Sequence, residues 1–146
     1  MVEVGASSSD TFSNQISKLL SNIDTVELNI GSIARFHEKA LVGVSQDETN
    51  RITSQVDQVQ DETNRLLNSS RLELKKLSEE TKILGGPEAQ SRRAQQSNVA
   101  MKLQNAAQRY AQVQKYAKEQ YKKRMEREIR IGILWHLSLS NQCSSS

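Results

Sequence analysis

The apolar residues of this chain recur at steps of four and three residues, and this spacing restricts the fold more than any other feature. A mean step of about 3.5 residues keeps one stripe on one side of an α-helix, where it can pack against another helix. Three such stripes follow one another along the 146 residues. They consist of Phe12, Ile16, Leu19, Ile23, Val26, Ile30, Ile33, His37, Ala40 and Val44; of Ile52, Val56, Val59, Thr63, Leu67, Ser70, Leu74, Leu77, Thr81 and Leu84; and of Val99, Leu103, Ala106, Tyr110, Val113, Ala117, Tyr121 and Met125. The pattern therefore predicts an all-α protein.

Start and stop signals divide the three stripes into separate helices. Asp10 or Ser9 can cap the first helix, and Gly43 favours its end because glycine tolerates the left-handed conformation that closes many helices. The segment Ser45–Glu48 has the form of a capping box, Gly85-Gly86-Pro87 separates the second helix from the third, and Gly132 marks the end of the third. We expect helices at about 10–43, 46–84 and 87–131, flanked by disordered tails at 1–9 and 132–146.

Helices with a single apolar stripe need partners, because packing supplies most of the stability of such a helix. The connections between the predicted helices are short, which favours antiparallel neighbours. Only one proline and six glycines occur, too few turn signals for an all-β sandwich. The prediction is one domain, residues 10–131, folded as a monomeric, antiparallel, up-down-up three-helix bundle. A long antiparallel helical hairpin that dimerises is the alternative.

The sequence shows no catalytic or metal-binding motif, and its 17 acidic residues are scattered over the predicted helix surfaces. His37, His136 and Cys143 are its only histidines and cysteine, their spacing is not that of a metal site, and no glycine-rich phosphate loop is present. We therefore expect no enzymatic activity, no cofactor and no metal ion. The longest nearly apolar run, Ile131–Leu137, is far shorter than a membrane-spanning helix, so we expect this chain itself to be soluble.

Positive charge is concentrated in the third predicted helix. Residues 92–130 contain eleven basic and three acidic side chains, a net charge of +8, while the rest of the chain carries −5. Ten of these basic residues are the candidate partner-binding residues: Arg92, Arg93, Lys102, Arg109, Lys115, Lys118, Lys122, Lys123, Arg124 and Arg127. Their charge admits three interpretations: pairing with the two acidic helices of the same chain, docking of an acidic protein or an anionic membrane surface, and nucleic-acid binding. No motif that reads nucleic acid accompanies the charge, so we expect no nucleic-acid partner.

Segments in all three predicted helices share residue combinations with a known family. The first helix combines its apolar stripe with Asn29, His37 and Leu41, and the second helix repeats Asp-Glu-Thr-Asn-Arg. The third helix opens with Ser91–Asn98 and closes, after Tyr116, with the basic segment Gln120–Ile129. Together these segments resemble the N-terminal regulatory domain of syntaxins, most closely in the third helix, over about residues 10–131.

The resemblance to syntaxins implies a fold and a set of partners. In that family the domain is an antiparallel three-helix bundle called Habc. The resemblance implies that the surface formed by the second and third helices receives a SNARE motif helix, either the protein's own in a longer form or one supplied in trans. It also implies recruitment of a Sec/Munc-family clamp protein and a role in vesicle docking, membrane fusion and exocytosis. The ending of the third helix is most similar to plasma-membrane syntaxins, which implies the cytoplasmic side of the plasma membrane or the secretory pathway.

Both ends of the chain depart from the syntaxin pattern. The tail at 132–146 resembles nothing in the family, which suggests a translated intron, a truncated gene or an artificial end. Residues 1–9 lack the short peptide that many syntaxins offer to the clamp protein. The resemblance predicts a regulatory protein–protein interaction domain without fusion machinery. Two functions of other classes stay open: a basic helical protein that binds membranes or nucleic acid, and a structural coiled-coil oligomer.

Overall fold

The computed structural model describes residues 3–144, with their side chains from 10 to 143, and this part of the chain consists of three α-helices joined by short turns. Helix α1 comprises Glu3–Leu41, α2 comprises Gln46–Lys82 and α3 comprises Gly86–Ser144. All three pairs of helices are in contact. The predicted all-α three-helix bundle is therefore confirmed, with the order and the turns that the sequence indicated.

The direction of α2 follows from its contacts with α1. Gln15 Nε2, near the beginning of α1, donates a hydrogen bond of 3.2 Å to Glu73 Oε1, near the end of α2. Lys39 Nζ, at the end of α1, lies 3.1 Å from Glu48 Oε1, at the beginning of α2. Because the contacts connect early residues with late ones and late residues with early ones, the two helices are antiparallel.

Helix α3 runs parallel to α1, as an up-down-up bundle requires. Near the beginning of both helices, the Arg92 guanidinium lies over the Phe12 ring, 4.7 Å from its centroid. Near the other end, His37 Nδ1 and Tyr121 Oη form a hydrogen bond of 3.1 Å, and the two rings meet edge to face. Burial raises the pKa of Tyr121, so its phenol stays protonated and available for this bond.

The core is formed mainly by residues of the three predicted stripes, although Leu84, the last residue of the second stripe, lies beyond the end of α2 and is 37% exposed. The main cluster extends along all three helices, and a smaller one lies next to the α1–α2 turn. The buried apolar members are Phe12, Ile16, Leu19, Ile23, Val26, Ile30, Ile33, Ala40, Ile52, Val56, Leu67, Leu77, Val99, Leu103, Ala106, Tyr110 and Ala117. Met125, the last residue of the third predicted stripe, is 61% exposed, because α3 has passed the ends of its partners by that point.

The first turns of α3 are buried through residues that the apolar pattern does not include. Ala89, Arg92 and Gln96 all face the core. Gln96 Nε2 donates to Thr81 Oγ1 at 2.5 Å and to the Leu77 carbonyl at 3.2 Å, and Thr81 Oγ1 donates to the same carbonyl at 2.8 Å. These hydrogen bonds satisfy polar groups that would otherwise be costly to bury.

The turns contain the residues that the sequence pointed to. Gly43 has φ +84° and Gly86 has φ +75°, left-handed conformations that favour glycine. Ser45 caps α2, since its Oγ accepts a hydrogen bond of 3.3 Å from the Glu48 backbone amide.

The ends of the helical region differ from the expected ones. Helix α1 begins at Glu3 rather than near residue 10, and α3 continues to Ser144 rather than ending near 131. Gly132 has no positive φ, and no proline follows it, so the backbone has no strong reason to leave the helix. A glycine in a helix costs only about 1 kcal/mol relative to alanine. Met1, Val2 and the last two serines lie outside the described residues.

Candidate partner-binding groove

A groove open to solvent runs between α2 and α3 on the outside of the bundle. It consists of two adjoining cavities of about 520 and 400 Å³, which share Arg71, Leu74, Ala100 and Leu103. Its other lining residues are Lys75, Ser78, Glu79, Lys82, Arg93, Gln96, Ser97, Gln104, Ala107, Gln108 and Ala111. On α3 the groove extends from residue 93 to residue 111, about 27 Å or five helical turns.

Small side chains keep this groove open. Ser97, Ala100, Ala107 and Ala111 line its α3 wall, and Ser78 contributes to its α2 wall. None of them is long enough to reach across to the opposite helix. The space that larger residues would fill is therefore available to a guest.

Two further stripes with heptad spacing line the groove. On α3 they are Arg93, Ser97, Ala100, Gln104, Ala107 and Ala111, and on α2 they are Arg71, Lys75, Ser78 and Lys82. Both follow alternating steps of four and three, the spacing with which a packed helix presents a continuous side. The groove is therefore shaped for another helix lying along the bundle.

Charge at the rim of the groove is mainly positive. Arg71, Lys75 and Lys82 come from α2 and Arg93 comes from α3, while Glu79 supplies the one negative charge among the lining residues. Helix α2 as a whole has more acidic than basic residues. The net charge of the helix therefore did not indicate that its basic side chains line the groove. A guest with acidic residues beside its apolar stripe would complement this rim.

Three of the ten basic residues predicted from the sequence are held by the bundle itself. Arg92 is buried against Phe12 and pairs with Glu88 at 2.9 Å. Arg109 forms an ion pair with Glu27 of α1. Arg124 Nη1 donates a hydrogen bond of 2.8 Å to a backbone carbonyl of α1, that of Ala40. Of the three interpretations of the basic charge, pairing with an acidic helix of the same chain therefore occurs at one residue, Arg109, with Glu27 of α1.

The other seven basic residues are exposed and lie on different sides of α3. Arg93 lies in the groove, and Lys115, Lys118 and Lys122 continue its α3 stripe toward the end of the helix. Lys123 and Arg127 line a shallow surface cavity with Arg130, and Lys102 lies apart from both groups. The structure therefore does not bring the ten residues together as one site.

Between residues 3 and 144, histidine, cysteine and acidic side chains do not come together in any group of three that could hold a metal ion. Within the same part of the chain, no helix has an apolar stretch sufficient to cross a bilayer.

The model of one protein family matches residues 9–131, almost the whole bundle, and its description is syntaxin-like protein. The chain belongs to the syntaxin-like family. The three-helix bundle is thus of the syntaxin Habc type, and the groove lies between the second and third helices of such a domain. Syntaxin-like proteins are a SNARE-related, non-enzymatic family, and this chain is a SNARE-related regulatory domain.

A solved structure supports the same assignment. The chain is similar to a chain of the crystal structure of the Unc18–syntaxin 1 complex from Monosiga brevicollis, with 26% sequence identity and a TM-score of 0.76. The similarity covers 83% of the syntaxin-like chain described here and 60% of the solved chain. No curated protein sequence matches this chain.

Proposed function

We propose that the α2–α3 groove of this syntaxin-like domain binds a SNARE motif helix, either its own in a longer form or one supplied in trans. The observation that carries the proposal is the pair of heptad stripes along an open groove. An amphipathic helix placed there would bury its apolar stripe on Leu74, Leu103 and the alanines, and would complete a four-helix bundle. Bound in this way, the domain would regulate when that helix is free to join a fusion complex.

The basic rim gives the proposed complex an electrostatic component. Acidic residues flanking the guest's stripe would face Arg71, Lys75, Lys82 and Arg93. Such rim charges change the rate of association and its dependence on salt more than the final affinity. We therefore expect binding that weakens, without disappearing, as the salt concentration rises.

Blocking the groove tests this proposal. Ala100 is exposed and contributes to both cavities, so Ala100→Trp would fill the groove without disturbing the core. Ala94→Trp places the same side chain on α3 at an exposed position outside the groove lining. Calorimetric titration with a SNARE motif peptide should show wild-type affinity for Ala94→Trp and at least about tenfold weaker binding for Ala100→Trp.

A charge reversal examines the rim separately. Lys75→Glu should slow association with the same peptide, while Lys76→Glu, at an exposed position that does not line the groove, should have a smaller effect. No binding of wild-type protein at micromolar concentrations, or equal binding by the two tryptophan variants, would contradict the proposal.

We further propose a Sec/Munc-family clamp protein as a partner of the bundle. The support is the similarity to a chain from a complex that contains Unc18. The exposed basic residues Lys102, Lys115, Lys118, Lys122, Lys123 and Arg127, with Arg93, are the proposed contact residues. Size-exclusion chromatography of the mixed proteins should show co-elution that charge reversal of Lys118 and Lys122 weakens. Separate elution of the wild-type proteins would contradict this proposal. With such a partner, the domain would act in vesicle docking and fusion in the secretory pathway or at the plasma membrane.

A further inference from the structure

The end of α3 presents an apolar surface that the bundle does not cover. Every residue from 125 to 143 is exposed. Six of the nine residues from 131 to 139 are large and apolar, and each is at least 49% exposed: Ile131, Ile133, Leu134, Trp135, Leu137 and Leu139. A continuous apolar surface of this kind on a water-facing helix indicates a binding partner.

The apolar side chains occupy most of the circumference of this helical segment. At 100° per residue they cover about 240° and leave one narrow polar strip, which contains Gly132, His136 and Ser140. A second helix would cover only the single stripe of a coiled-coil seam and would leave the rest in water. A lipid surface can surround a wider sector, because acyl chains contact the helix from several sides.

A belt of positive charge precedes the apolar segment. Residues 122–130 contain five basic and two acidic side chains, and no acidic residue follows Glu128 in the sequence. Lys122, Lys123, Arg127 and Arg130 are exposed. Basic residues next to an apolar helix with a tryptophan are typical of segments that lie in the interface of anionic membranes.

We propose that the end of α3, residues 122–139, binds an anionic lipid surface: the basic belt contacts headgroups and Ile131–Leu139 enters the interfacial region. The apolar segment is about 13 Å long, less than half of the hydrocarbon thickness, so it lies within one leaflet. None of these residues lines the α2–α3 groove, and the inference does not depend on the proposed SNARE helix. Lys122, Lys123 and Arg127 are also proposed contacts of the clamp protein, so the lipid surface and the clamp protein would compete for them.

The chain contains one tryptophan, and it lies in the apolar segment, so Trp135 fluorescence reports insertion directly. We expect a blue shift of the 146-residue chain with vesicles of phosphatidylcholine and phosphatidylserine, and a much weaker response with phosphatidylcholine alone. Flotation of the protein with the same vesicles provides an independent readout.

A double variant tests the apolar segment itself. Ile133→Ser combined with Leu137→Ser keeps the tryptophan and should weaken partitioning at least about tenfold. Leu28→Ser combined with Leu72→Ser is the matched control, since these exposed leucines lie on α1 and α2, and it should partition like the wild type.

Several results would overturn this inference. Absence of both blue shift and flotation at high lipid concentration would do so, as would equal partitioning of the two serine variants. Equal affinity for neutral and anionic vesicles would refute the role of the basic belt. A blue shift that depends on protein concentration without lipid, with the mass of a dimer in sedimentation, would show that a second copy covers the segment instead.

Discussion

At the scale of single residues, two buried polar side chains connect α2 with α3. Thr81 and Gln96 share a hydrogen bond, and both bond to the Leu77 carbonyl. Because Gln96 lines the groove, this junction holds the two groove walls together near one end.

Thr81→Val tests the energetic contribution of this junction. The substitution nearly preserves volume but removes the buried hydroxyl, and Gln96 Nε2 keeps only its bond to Leu77. We expect urea unfolding to show a loss of about 1–2 kcal/mol. Thr53→Val is the control, since the exposed Thr53 hydroxyl bonds to Thr49 in the same way and its loss should matter little. Equal destabilisation by both variants would contradict a special role for Thr81.

His37 gives the bundle a pH dependence. Its pKa is lowered from 6.5 by burial, so the unfolded state binds a proton more readily than the folded state. The stability that this histidine contributes is therefore complete above about pH 6.5 and is lost as the pH falls through the lower pKa of the folded state. We expect the difference in unfolding free energy between the wild type and His37→Gln to shrink as the pH is lowered from about 6.5 to below the pKa of His37 in the folded state. The wild-type pH profile in His37→Gln would contradict the assignment.

Residue types explain both the successes and the omissions of the sequence analysis. The apolar stripes predicted the core of α1 because its members, such as Ile23 and Ile33, have no alternative to burial. Arg92 and Gln96 were not assigned to the core because their types are usually exposed. Their burial is favourable because Arg92 stacks on the Phe12 ring and pairs with Glu88. Gln96 bonds to the Thr81 hydroxyl and the Leu77 carbonyl.

At the scale of elements, α3 determines both candidate surfaces. Its small residues open the groove, and its length carries an apolar segment beyond the bundle. The groove corresponds to a second stripe with heptad spacing on α3, which the sequence contains. A search for apolar residues does not find this stripe, because its members are mostly small or polar. The continuation past Gly132 was not predictable from the glycine itself, since a helix-stopping glycine is recognised by its positive φ, which Gly132 lacks.

Gly132→Ala tests whether α3 is continuous. A Cβ at this position would contact nothing within 4 Å, so the substitution should only favour the helix. We expect amide hydrogen exchange in residues 133–139 to slow about two- to fivefold. Gly85→Ala, in the α2–α3 turn, should leave these amides unchanged. Unprotected exchange of the segment in both wild type and Gly132→Ala would contradict a continuous helix.

At the scale of the whole molecule, each helix buries its apolar stripe against the other two, so no second chain is needed to complete the core. This arrangement favours the predicted monomer over the alternative of a hairpin that dimerises. Sedimentation equilibrium should give the 16.5 kDa mass of one chain. If the double variant Ile133→Ser, Leu137→Ser still sediments with the mass of a dimer, then the bundle itself forms the dimer and the end of α3 does not.

The odd number of helices has a consequence for anything joined to this domain. The chain enters the bundle at one end and leaves it at the other, beyond the α1–α2 turn. A covalently attached helix that follows α3 must reverse its course to reach the groove, and would then run in the same sense as α2. A helix arriving from a separate molecule has no such tether and can adopt either polarity, so a guest that runs opposite to α2 would identify capture of a helix from another molecule.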